Sequence, residues 1–177
     1  IRKDSAVLFQ GLGIMNASAL CQKWMNQCPT IFLSFKDVDG LTFDSAYGML
    51  EATIAELFRK YTDLLDSENV NDFRRILKGE AGTTGIKKSL SLLMRMLSDH
   101  YGKQVVLLLD EYDVPVAKAS NHHYYQEMLE VVKAMMSTAL KDNNALQFAI
   151  ITGCLKIAKE SIFTGTNNFV SDTITSS

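Results

Sequence analysis

The sequence predicts an α/β fold with a parallel sheet, and two observations carry that prediction. Short β-type runs alternate with longer segments whose apolar residues recur at helical spacing. One of the runs, Val105-Val106-Leu107-Leu108-Leu109, is apolar at every position, as befits a strand buried on both faces. Strands are expected at residues 30–35, 105–109 and 147–152, so the sheet is short.

The elements follow in order. Pro29 introduces the first strand, Thr30-Ile31-Phe32-Leu33-Ser34-Phe35. Asp44 is read as the cap of an amphipathic helix bearing Leu50, Ile54, Leu57, Phe58, Tyr61, Leu64 and Leu65. A shorter helix around Val70, Phe73, Ile76 and Leu77 ends at Gly79. Residues 80–85 read as a loop, with Thr84 capping a helix that places Ile86, Leu90, Leu93, Met94 and Leu97 inward and stops at Gly102. After the second strand Pro115 reads as punctuation, and His122 and His123 as the start of a helix. That helix runs on from about Tyr124 to Lys141 with Met128, Met135 and Met136 in the core. Gly153 breaks the third strand, and the pattern weakens from Lys156 onward.

Bulk properties narrow the functional classes. The 177 residues, 47% hydrophobic and 21% charged, suffice for one buried domain or most of one. A net charge of −2 gives no global attraction for nucleic acid or anionic membrane. No apolar stretch approaches the roughly 20 residues of a membrane helix, and none resembles a signal peptide. Cys21, Cys28 and Cys154 form no metal-binding spacing. Cys21 and Cys28 are read as packing residues able to share a helix face, and a reducing cytoplasm is the simplest compartment.

The most informative stretch is the end of the second strand, Leu109-Asp110-Glu111-Tyr112-Asp113. In open α/β sheets ligands bind beyond the carboxyl ends of the strands. A buried strand thus delivers two adjacent carboxylates to the place where chemistry occurs. One can hold hydrated Mg²⁺, which takes few protein carboxylates; the other can orient or deprotonate a water. The bland alternative is a polar strand terminus. The phosphate-loop pattern G-x-x-x-x-G-K-[ST] is absent from residues 1–177. Gly11-Leu12-Gly13 lacks the Lys-Ser/Thr. Gly82-Thr83-Thr84-Gly85-Ile86-Lys87-Lys88-Ser89 follows no strand and has the wrong spacing, so it reads as a turn and helix cap.

Three ordered segments resemble the predicted AAA-ATPase-like family of bacteria: residues 105–116 (VVLLLDEYDVPV), Phe148-Ala149-Ile150-Ile151-Thr152-Gly153, and residues 161–169 (SIFTGTNNF). Residues 8–14 and 29–35 add to the resemblance, which covers nearly the whole chain. It implies a three-layer, P-loop NTPase-like (RecA-like) parallel sheet, truncated here to about three strands with flanking helices. The family's first strand and Walker A loop are expected upstream, so residues 1–177 look like an internal part of the domain. In RecA-like sheets the strands matching these three are neighbours, and the last would lose the first family strand beside it. Its exposed edge, at residues 147–152, is expected to be covered by the N-terminal segment or a second copy.

The resemblance implies that Asp110 is the Walker B magnesium residue, Glu111 the catalytic glutamate and Thr152 a polar sensor contacting nucleotide. Tyr112 and Asp113 belong to the same motif, with support of the turn as the alternative. Asn167 and Asn168 match a characteristic pair of underived role. ATP and Mg²⁺ are the cofactors implied for an intact protein, which is often joined to a C-terminal nuclease-like domain; this chain alone is expected to be inactive. Two other functions are compatible with the residues: a non-enzymatic interaction module, and a metal-dependent nuclease using Asp110, Glu111 and Asp113, for which no lysine partner is evident. Asp37 and Asp39 read as a solvated turn, and Lys156 and Lys159 as surface lysines able to reach a phosphate in an intact protein. Adjacent His122 and His123 do not share a helix face, which disfavours a paired metal role.

Overall fold

The computed structural model describes residues 5–64, 69–154 and 170. Among them lie a three-stranded parallel sheet and six α-helices. The strands are β1 (Thr30–Ser34), β2 (Val105–Asp110) and β3 (Leu146–Ile151), in the spatial order β1-β2-β3. The expected strands are therefore present, with ends displaced by a residue, and they are contiguous as the resemblance implied. Register is continuous from Thr30↔Val106 to Ser34↔Asp110. On the other side it runs from Val106↔Phe148 to Leu109↔Ile151, with an irregularity between Val105 and Val106.

Alternation divides the sheet into two faces. Ile31, Leu33, Val105, Leu107 and Leu109 are buried on one of them. There they join one core with helices α2 (Phe43–Arg59), α4 (Gly82–Tyr101) and α6 (Tyr125–Leu140), together with Phe73 and Ile76 of α3 (Val70–Leu77). Each such apolar side chain contributes about 1.5–3 kcal/mol by leaving water. Met128, Met135 and Met136 are buried here, as the spacing predicts. The opposite face carries the row Phe32, Leu108, Ile150, whose outer members are 54% and 53% exposed. Helix α1 (Ser18–Trp24) reaches this second face: the Trp24 ring meets Phe148 edge-on, with centroids 5.1 Å apart. Among the described residues no further strand pairs with β3.

Several local expectations need correction. The cap of α2 is Thr42, not Asp44. Thr42 Oγ1 accepts from the Ser45 amide at 3.3 Å, and the Thr42 amide donates to Ser45 Oγ at 3.4 Å. This reciprocal arrangement satisfies two otherwise orphaned donors. Asp44 instead lies in the first turn, where its charge meets the positive helix end. The helix stops at Arg59; Leu64 follows in a short 3₁₀ turn, and Leu65 falls outside the described residues. Helix α4 begins at Gly82, so Thr84 lies inside its first turn and caps nothing.

Gly79 and Gly102 do end their helices, with φ of 70° and 63°. Pro115 does not merely punctuate: it lies in the first turn of a further helix, α5 (Val114–Ser120), where a proline's fixed φ is suited. His122 and His123 lie in the turn before α6 rather than in a helix, and His123 has a φ of 66°. Helix α1 ends before Cys28, so Cys21 and Cys28 share no helix face. No described helix is long and apolar enough to cross a membrane.

A clamped row of polar groups at the strand ends

The register determines which side chains meet at the carboxyl edge. Ser34 pairs with Asp110, and Thr152 follows the Leu109↔Ile151 pair. Alternation puts all three on the same side of the sheet, away from the helical core. The Thr152 hydroxyl donates to Asp110 Oδ1 at 2.5 Å, and Ser34 Oγ approaches Asp110 Oδ2 at 3.5 Å. Asp110 and Thr152, singled out separately by sequence, are thus in contact. Ser34 was not anticipated. Its signal is a hydroxyl after the apolar run Ile31-Phe32-Leu33, which acquires meaning only once the register with Asp110 is known.

Backbone bonds carry the ladder past the strands. The Phe35 amide donates to the Asp110 carbonyl at 3.0 Å. The Thr152 amide donates to the Leu109 carbonyl at 2.9 Å, and the Tyr112 amide to the Thr152 carbonyl at 3.3 Å. The Asp110–Thr152 contact is therefore held by the main chain on both sides.

Glu111 leaves the strand with a φ of 52°. That left-handed conformation is costly for a residue with a Cβ, and such outliers gather at functional sites. It turns the chain sharply, so that the Glu111 carbonyl accepts from the Val114 amide at 3.1 Å and α5 can start. Glu111 is half-buried, and among the described residues its carboxylate makes no hydrogen bond or ion pair.

Asp113 has a different part. It is 2% exposed, and its Oδ2 accepts from the Cys154 amide at 3.0 Å. A Cβ on Gly153 would lie 2.6 Å from Asp113 Oδ1 and 2.6 Å from Tyr112 Cε1. Gly153 thus permits close approach of the β3 exit to the Tyr112–Asp113 turn. Tyr112 and Asp113 therefore support the turn at the strand end. Burial pushes the Tyr112 phenol above its ordinary value, and the nearby Asp113 charge adds to the rise.

Other candidates lie elsewhere. Asp39 accepts from Lys118 Nζ at 3.1 Å and from the Gly40 amide at 2.8 Å, which together hold its carboxyl below the ordinary range. It ties the β1–α2 loop to α5. Asp37 lies 4.0 Å from Lys36 on the surface. Lys156, Lys159, Asn167 and Asn168 fall outside the described residues. Among the described residues no three His, Cys, Asp or Glu side chains gather to hold a metal ion. The oxygen set at Asp110, one carboxylate flanked by two hydroxyls, nevertheless suits a hard cation that keeps most of its waters.

Comparison with known proteins identifies the family. The sequence model of the AAA-ATPase-like family, described as a predicted AAA-ATPase, matches residues 2–163. A relative from Azotobacter chroococcum mcd 1, an uncharacterized protein in the vnfD 5' region, is 28% identical over 163 residues. The match covers 91% of this chain and 28% of the relative, so the chain spans little more than a quarter of that protein's length. No solved structure matches the chain.

Proposed function

Because the chain belongs to the predicted AAA-ATPase-like family, we propose that it forms the magnesium- and water-handling part of an ATPase module, with Asp110, Glu111 and Thr152 as its working residues. The observation that carries this reading is the Ser34–Asp110–Thr152 row at the carboxyl ends of three parallel strands, with Glu111 beside it in a left-handed turn. Asp110 would hold the hydrated Mg²⁺ of a nucleotide, and Thr152 would fix the rotamer of that carboxylate. The metal would supply charge neutralisation on the phosphates. Glu111, free of other partners among the described residues, would orient the attacking water and accept its proton.

Positioning and electrostatics account for most of phosphoryl-transfer catalysis, and carboxylates alone repel a triphosphate. Residues 1–177 contain no phosphate-loop pattern. The chain alone is therefore expected to turn over ATP poorly or not at all, and an intact protein would use hydrolysis to switch an attached domain, such as a nuclease-like one. The test is ATP hydrolysis by these 177 residues and by a longer protein that carries the phosphate loop. In the longer protein Glu111→Gln should abolish turnover while sparing nucleotide binding, and Asp110→Asn should remove the Mg²⁺ dependence of binding. Robust hydrolysis by residues 1–177 alone, lost on Glu111→Gln, would overturn the assignment of an incomplete site.

The row Phe32, Leu108, Ile150, exposed at its two outer members, favours a second reading, in which the sheet is also an interaction surface. Among the described residues no strand pairs with the outer edge of β3, and a second copy is the simplest partner. A monomeric mass in solution, together with fast amide exchange along residues 147–152, would count against it.

A further inference from the structure

A cleft of about 770 Å³ lies on the helical layer, lined by α3, α4 and Thr138 of α6. It shares no residue with the strand-end row, and its size is that of a small-molecule site. Three cations line it, Arg75, Lys88 and Arg95, against a single carboxylate, Asp72. In a chain of net charge −2 this is a local excess of positive charge.

The two guanidinium groups are held in place through neutral acceptors. Arg75 Nη2 donates to the Glu80 carbonyl at 3.0 Å, and Arg95 Nη2 donates to Asn69 Oδ1 at 3.1 Å. Each keeps further N–H groups for another acceptor. Lys87 is committed to Glu130, whereas neighbouring Lys88 has no ion-pair partner among the described residues. Thr83 and Thr84, in the segment whose Lys-Lys-Ser superficially resembles a phosphate loop, add hydroxyl donors to the same wall. Three cations on the wall of one cleft favour an anion within it.

We propose that this cleft binds a phosphorylated small molecule, held by Arg75, Lys88 and Arg95. Guanidinium groups take phosphate oxygens in pairs, and the cavity leaves room for an organic part beyond the phosphate. Bound anion stabilises the folded chain, by an amount that grows with the logarithm of its concentration once that exceeds the dissociation constant. The site is separate from the proposed ATPase centre and does not depend on it.

The test is a titration of the 177-residue chain with inorganic pyrophosphate, followed by amide chemical shifts at constant ionic strength. Saturable shifts confined to the cleft lining, residues 72–95 and Thr138, are expected, with sulfate at least threefold weaker. Lys88→Gln, an exposed change, should weaken binding at least threefold, and Lys88→Glu with Arg95→Glu at least tenfold. Asp110→Asn should leave pyrophosphate affinity unchanged, which separates this site from the strand-end centre. Shifts scattered over the surface, equal binding of sulfate, or affinity indifferent to Lys88→Gln would overturn the proposal. Loss of pyrophosphate binding in Asp110→Asn would do so as well.

Discussion

The Thr152 hydroxyl donates to Asp110 Oδ1 at 2.5 Å across the seam between the outer and central strands. A charged acceptor makes this hydrogen bond stronger than a neutral one. Thr152→Val keeps the side-chain shape and deletes the donor. It should lower stability by about 1 kcal/mol, the modest value reflecting the exposure of Thr152. Urea denaturation of the two proteins measures the difference; no change in midpoint would show that water replaces the hydroxyl at no cost.

Gly153→Ala should be more damaging. Its Cβ would enter space within 2.6 Å of both Asp113 Oδ1 and Tyr112 Cε1, and neither the buried carboxylate nor the ring can withdraw easily. Overpacking of this kind costs roughly 1–3 kcal/mol. The amide resonance of Cys154, which marks the bond to Asp113 Oδ2, should move at the same time. Full retention of both stability and that resonance would mean that the turn relaxes freely.

Glu111→Gly should act in the opposite direction. The φ of 52° is strained for glutamate and ordinary for glycine. The substitution relieves up to about 1 kcal/mol, partly offset by the greater freedom of glycine in the unfolded chain. A thermal midpoint equal to or above that of the parent is expected, even though the proposed water-orienting group is lost. A clear fall in the midpoint would indicate that the Glu111 side chain supports the fold.

Acid should loosen the attachment of the β1–α2 loop to α5. Asp39 is held below its ordinary range first by Lys118 and then by the Gly40 amide. A carboxyl depressed in the folded state supports folding above its unfolded value, and that support disappears as pH falls through the folded one. A carboxyl-detected titration should place the Asp39 midpoint below the ordinary aspartate value and close much of that gap in Lys118→Ala. The pair is exposed, so added salt should also narrow the gap.

Much of this architecture can be read from the sequence where the signal is periodic. Five consecutive apolar residues located β2, and the spacing of Leu90, Leu93, Met94 and Leu97 located α4. The sequence is ambiguous where one residue carries two meanings. Pro115 ends one pattern and starts α5, and Asp44 and Thr42 are both acceptable caps until the Ser45 hydroxyl decides between them. At the strand ends, Asp110, Glu111 and Thr152 stand out by position or resemblance. Ser34 and Gly153 do not, because their roles arise from register and close packing between segments distant in sequence.

The pairing of Ser34 with Asp110 closes a stretch of 76 residues. The bonds from β2 to Thr152 close a shorter one, 43 residues from Leu109. Closure entropy rises only slowly with length, but contacts so distant along the chain delay folding. The seam between β1 and β2 is therefore expected to assemble after the helical hairpins and after β3 has docked. In pulse-labelled refolding, protection of the Phe35 amide, which donates to the Asp110 carbonyl, should trail that of the Thr152 amide. The polar row would then be completed from the β3 side, with the Thr152 contact in place before Ser34 arrives.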